Sequence, residues 1–209
     1  MMIIIAAKTW MLFLQMKCEQ MMKRLTFLIN IGKNIKIALS TSASKAVVDR
    51  VLEVGMEIYW WNPMYDDPDQ DGVTKDLQKL NGLPAINAGG NVGSCAWMIA
   101  SAVLEKKYIA LTGMDFSYYE GTPYRNTQYY YEAINLVGEE NLDSLYMEIY
   151  NPYSKAKFFT DPAYMWYREC FLEMVKDSAS QTFNCTGGGI LFGEGIDFIP
   201  LENFMEKQG

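Results

Sequence analysis

Residues Asn87–Gly121, NAGGNVGSCAWMIASAVLEKKYIALTGMDFSYYEG, decide the fold. A glycine loop opens an apolar run that predicts a helix over 93–105, and the helix leads into the strand KYIALTGMDF, tipped by Gly113-Met114-Asp115. Just upstream, PAIN reads as a brief strand feeding the loop. Strand, loop, helix and strand joined by short connections are the pattern of parallel crossover units.

The same alternation extends outward. IKIALS, Ile35–Ser40, reads as a strand, and TSASKAVVDRVLEVG as a helix capped by Ser42 or Ser44 and stopped by Gly55. MEIYWWN then reads as a strand ending at Pro63. Downstream, TDPAYMWYRECFLEMVKDSAS predicts a helix with Asp161 or Thr160 as its cap and Pro162 in its first turn. The closing QTFNCTGGGILFGEGIDFIPLENFM predicts a strand, a glycine turn into a second strand at ILF, and a terminal amphipathic helix. No linker or repeat divides the chain, so residues 1–209 read as a single α/β domain. The expected fold is Rossmann-like, three-layered, with a mainly parallel sheet.

With half of its 209 residues apolar and 14% aromatic, the chain has material for one sizeable core. A net charge of −7 argues against a nucleic-acid partner, which would call for a basic face. The four cysteines, Cys18, Cys95, Cys170 and Cys185, are scattered without metal-ligand spacing, as in a reduced intracellular protein. The absence of histidine excludes a Ser-His-Asp triad, a Cys-His pair and a His-ligated zinc. In the opening MMIIIAAKTWMLFLQMKCEQMMKRL, Lys8 interrupts an apolar run too short to span a membrane and unlike an export signal. A buried strand over Met2–Ala7 and an amphipathic helix over Thr9–Leu28 are expected instead, and a cytoplasmic location with them. There the Asn184-Cys185-Thr186 acceptor pattern would go unglycosylated.

In open α/β sheets, ligands bind where loops at the carboxyl ends of the strands line a crevice. Gly89, Gly90 and Gly93 let the backbone approach a ligand, while Asn91, Ser94 and the first helical amides offer the positive end of the helix dipole to an anion. The spacing matches neither a dinucleotide fingerprint nor a Walker loop, and a tight packing turn explains the glycines equally well. Asp115, past the end of an apolar strand, suits a ribose hydroxyl, a metal-bound diphosphate or a reacting hydroxyl; the alternative is a cap. Arg125 reads as a phosphate clamp or a surface ion pair. Tyr118, Tyr119 and Tyr124 read as residues that stack on a base or bind phosphate oxygens, or as local packing, and Tyr129–Tyr131 cannot all face one way on a helix. Tyr164, Trp166 and Tyr167 read mainly as core. Asn184, Thr186 and Gly187–Gly189 allow a second ligand wall. Asp66, Asp67, Asp69 and Asp71 lack the terminal glutamate of a calcium loop and read as a solvated surface loop.

GGNVGSCAWMIASAVLEKKYIALTGMDFSY, TPYRNTQYYYE and TFNCTGGGILFGEGIDFIPLENFM together resemble the motility-accessory-factor family, over about Ile35–Met205. That resemblance implies glycosylation of flagellin or another protein with sialic-acid-like, nonulosonic sugars. An archaeal branch with similar sequence contains 6-hydroxymethyl-dihydropterin diphosphokinases, which implies Mg²⁺ and ATP as the alternative. The stretch is also similar to bacterial sialyltransferases whose nucleotide loop precedes a helix and a strand ending in Gly-x-Asp-Phe. Gly90, Gly93, Ser94, Asp115 and Phe116 fall on that pattern, which implies a CMP-sugar at these residues. Those transferases use a histidine base, absent here, and their upstream Gly-x-Gly/Asn-Pro-Ser loop has no counterpart. Residues 1–34 therefore read as a truncated or replaced N-terminal portion, and a degenerate nucleotide-binding domain is the third expectation. A protein or glycan acceptor and a homo-oligomer are compatible with each.

Overall fold

The computed structural model describes residues 3–6 and 32–208. They belong to two compact units: one holds 3–6 and 89–208, the other the described residues up to Ala88. The fold is α/β with parallel strands in both units. Strand β1, Ile3–Ala6, falls within the stretch expected to form a strand; the helix expected over Thr9–Leu28 lies outside the described residues.

In the unit ending at Ala88, β2 (Lys36–Ser40) leads through α1 (Lys45–Glu53) to β3 (Glu57–Pro63), which pairs with it in parallel from Lys36↔Glu57 to Ser40↔Trp61. Ser44 caps α1 without a side-chain hydrogen bond, and Gly55, at φ +72°, turns the chain after it as expected. After α2 (Val73–Asn81), β4 (Ala85–Ile86) adds a third parallel strand. Leu39, Val51, Val54, Trp61 and Ile86 are buried. Fully buried Asn62 exchanges two amide hydrogen bonds with Asn81 and accepts one from Thr41, tying β3 to the end of α2.

The acidic loop before α2 has a structural task. The Asp66 carboxylate accepts the amides of Val73 and Thr74 at 2.8 and 3.0 Å, while the Thr74 hydroxyl accepts those of Tyr65 and Asp66. These bonds, Thr74 foremost, hold the Asp66 carboxyl below the usual carboxylate range. Because the folded value is depressed, its contribution is complete above the unfolded value of about 3.9 and is lost as pH falls through the folded one. Asp66→Asn should therefore lower the urea midpoint at neutral pH and flatten the loss of stability on acidification. Unchanged acid sensitivity in circular-dichroism titrations would overturn this role.

The second unit opens with α3 (Val92–Met98), which widens into a π turn over Ile99–Val103, so the helix expected over 93–105 is present but changes pitch. Next come β5 (Tyr108–Thr112), β6 (Tyr118–Tyr119), a 3-10 turn at Tyr124–Asn126 and α4 (Tyr130–Val137). The chain continues through β7 (Met147–Asn151), β8 (Ala156–Thr160), α5 (Pro162–Lys176), β9 (Gln181–Asn184), β10 (Ile196–Phe198) and α6 (Leu201–Gln208). Strands β1, β5, β9 and β10 form one parallel sheet in that order; β6, β8 and β7 form an antiparallel ribbon.

Strand β5 is buried on both faces, as its continuous apolar run predicts. Ile109 and Leu111 pack with Trp97 of α3 and Phe171 and Val175 of α5, whereas Ala110 packs with Phe183 and with Phe204 of α6. The Trp97 indole donates to buried Thr182 at 2.9 Å. Helix α5 starts as its sequence predicts, with Asp161 accepting the Tyr164 amide and Pro162 in the first turn.

The ILF segment is not the expected strand. Ile190 and Leu191 are fully buried, yet the Arg168 guanidinium of α5 takes the carbonyls of Ile190 and Phe192, both at 2.7 Å, and lies over the Phe192 ring. A buried backbone needs partners. Here a side chain supplies some of them, and the next strand forms four residues later, at Ile196–Phe198.

Candidate functional site at the rim of the parallel sheet

Because β1, β5, β9 and β10 run parallel, their carboxyl ends share one rim, and the glycine-rich turns after β5 and β9 meet there. The Gly113 amide donates to the Thr186 hydroxyl at 3.1 Å, and the Thr186 amide to the side chain of Asn184. Asn184 is fully buried and donates onward to the Leu191 carbonyl at 2.7 Å, so it shapes the turn from within. The Asp115 carbonyl accepts from Ile190, and Gly189, at φ +77°, lies so close that a Cβ there would come within 2.6 Å of the Asp115 backbone.

The glycine loop reaches the same rim. A Cβ on Gly93 would come within 3.0 Å of the Met114 sulfur, the neighbour of Asp115. Asn91 caps α3: its Oδ1 accepts the Ser94 amide at 2.9 Å and its Nδ2 donates to the Ser94 hydroxyl at 2.8 Å. Ser94 is fully buried, so its amide and hydroxyl are used inside the loop, and the loop's outward side is Gly90 with half-buried Asn91. Gly89, at φ +59°, is buried against Met174 and Ser94. Gly90, at φ +80°, lies beneath the rings of Trp166 and Tyr167, which a Cβ would approach to 2.6 and 2.7 Å.

Helix α5 and the ribbon add a shell of tyrosines. Tyr118 stacks on Tyr164 with centroids 5.2 Å apart; its hydroxyl donates to Asp161 at 2.8 Å and accepts the Gln128 amide at 3.0 Å. Tyr164 donates to the Gln128 side chain at 2.8 Å, and the hydroxyls of Tyr129 and Tyr167 lie 3.0 Å apart. Asp115 is half-buried, and its charge reaches Tyr164. Burial, reinforced by the carboxylates of Asp161 and Asp115, pushes the Tyr164 phenol up to about 12, and burial drives Tyr118 and Tyr129 upward as well. At neutral pH the Tyr118 and Tyr164 phenols keep the hydrogens they donate to Asp161 and Gln128. Cys95 and Cys185 are pushed by burial to about 11, so neither offers a thiolate.

No family model, curated protein or solved structure matches this chain.

Phe116 is in the left-handed region at φ +49°, with its ring in the core against Phe171 and its carbonyl accepting from Thr160. Arg125 is exposed on its 3-10 turn, where its charge reaches Tyr130. Tyr129 and Tyr130 are half-buried and Tyr131 is 75% exposed, the split that adjacent helical positions require. Trp166, expected in the core, is 57% exposed. The sequence reading missed Gln128 and the bond from Tyr118 to Asp161; the available signal was Tyr164 and Tyr167, one turn apart on a helix face.

Acidic residues of the loop before α2 already have partners. Asp66 is committed to its cap, Asp67 accepts from Asp69 and Gln70, and Asp71 pairs with Lys75. Among the described residues no three metal-ligating side chains converge. A concavity of about 670 Å³ lies at the opposite ends of β9 and β10, lined by Gln181, Thr182, Ile196 and Asp197, and does not include residues 89–94 or Asp115. No described helix is long and apolar enough to cross a membrane.

Proposed function

We propose that the unit built on residues 89–208 binds a nucleotide or nucleotide-sugar at this rim and acts as a glycosyltransferase-like protein, with a CMP-activated nonulosonic sugar as donor. The observation that carries the reading is the gathering of a carboxylate, tyrosine rings and an exposed indole around Gly90 and Asp115. Aromatic faces suit a base or sugar ring, and a carboxylate accepts from ribose or acceptor hydroxyls. Packing of Ile109 and Leu111 on one face of β5 and Ala110 on the other supports a Rossmann-like, three-layer arrangement of this unit. We take the protein to be cytoplasmic, with a protein or glycan acceptor.

In transfer, the acceptor oxygen forms the new bond to the anomeric carbon as the bond to the nucleotide phosphate breaks and its electron pair leaves with the phosphate. The amides of the exposed part of the loop would stabilise that charge, whereas Arg125, out on its 3-10 turn, would have to reach in to clamp it. With histidine absent and the phenols held protonated, Asp115 positions the nucleotide ribose or the acceptor hydroxyl, and the good phosphate leaving group carries the reaction without a strong base.

Thermal-shift titrations with CMP, CDP, ATP and sugar nucleotides test the reading. A ligand at one hundred times its Kd should stabilise the protein by about 2.7 kcal/mol. Asp115→Asn should remove most of that shift while leaving the unliganded melting point nearly unchanged. A second reading, a scaffolding domain that retains the fold without nucleotide, is favoured by the packing of Trp166 and Tyr167 onto Gly90. Absence of a shift with every nucleotide would overturn the first reading and favour this one.

A further inference from the structure

Past β6 the chain turns at Gly121, φ +79°, and comes back through Thr122 and Pro123 to Tyr124. A cavity of about 390 Å³ results, lined by Glu120, Thr122, Glu148 and Lys157 and by Tyr124 and Tyr146. That volume falls within the roughly 300–1,000 Å³ of small-molecule sites. The aromatic side is held fast: Tyr124 and Tyr146 stack with centroids 4.2 Å apart and 7° between planes, and Phe159 meets each ring edge-on at 5.6 Å. Their hydroxyls are tied to Asp143 and Thr127.

The polar side carries both signs. Lys157 donates to Glu148 at 2.6 Å across β7 and β8, and exposed Glu120 lies within electrostatic reach of the same ammonium. An anion would meet two carboxylates against one ammonium, and a cation would meet Lys157. Hydroxyl groups donate and accept together, so they suit carboxylates and an ammonium side by side, and the apolar C–H face of a sugar ring suits the aromatic side. We propose that this cavity is a binding site for a neutral saccharide unit. It is independent of the nucleotide reading and shares no residue with the glycine loop or the Asp115 turn.

Saturation-transfer NMR on the full chain with maltose, cellobiose, lactose and N,N′-diacetylchitobiose tests it. At least one should bind saturably with a Kd on the order of 1 mM. Glu120→Gln and Lys157→Met, both at exposed positions, should each weaken binding about tenfold without moving the melting point. Asp115→Asn and Trp166→Ala should leave it unchanged. The proposal is overturned if none of the four sugars saturates, if the two cavity variants bind as well as the parent chain, or if Asp115→Asn or Trp166→Ala abolishes binding. Preferential binding of tetramethylammonium or of inorganic phosphate would overturn it too.

Discussion

Gly189→Ala should lower stability by roughly 3 kcal/mol. Two costs coincide. At φ +77° an alanine is strained, and its Cβ would come within 2.6 Å of the Asp115 Cα and carbonyl, which are backbone and cannot swing aside. Relief would require the Asp115 turn to move, pulling on the bond from Ile190 to Asp115 and on the 2.7 Å bond from buried Asn151 to the Gly189 carbonyl. Gly187→Ala is the internal control. Gly187 has a similar φ of +80° with nothing within 4 Å of its added Cβ, so only the backbone strain of about 1 kcal/mol applies. Urea unfolding of the two variants measures the difference. Equal losses would show that the contact with the Asp115 backbone does not matter.

Asp161→Ala should cost about 3 kcal/mol, because one buried carboxylate serves two elements. It is 2% exposed, accepts the Tyr164 amide at 2.8 Å as the cap of α5, and accepts the Tyr118 hydroxyl from β6, also at 2.8 Å. The alanine leaves both donors buried without an acceptor. Asp161→Asn keeps an acceptor oxygen and should recover most of the loss. The Tyr118→Phe variant in a double-mutant cycle with Asp161→Ala separates the bond to β6 from the cap. Additive losses would mean that the hydroxyl contributes nothing through Asp161. Loss of near-ultraviolet dichroism should accompany the alanine variant, since Tyr118 stacks on Tyr164.

Local signals in the sequence located the parts of the fold that local physics sets. The YIALT run between Lys107 and Gly113 had to be a strand buried on both sides, and Asp161-Pro162 had to begin a helix. The meeting of Gly93 with Met114 follows from the helix after the glycine loop leading straight into β5 and packing along it. The ribbon of β6, β7 and β8 was not legible, because its anchors are distant in sequence: Asn151 to Gly189 spans 38 positions and Thr160 to Phe116 spans 44. The tyrosine shell was hidden for the same reason, since Tyr164 finds Gln128 across 36 positions. Ser94 reads as a ligand-facing hydroxyl only until Asn91 is known to fold back over it. ILF has the composition of a strand, and no local rule reveals that Arg168 satisfies two of its carbonyls.

That arginine takes the place of a crossover helix. The segment it grips joins two neighbouring parallel strands without an intervening helix, so its path to the sheet is set by the bond from Asn184 to Leu191 within the turn and by one guanidinium reaching across from the long helix.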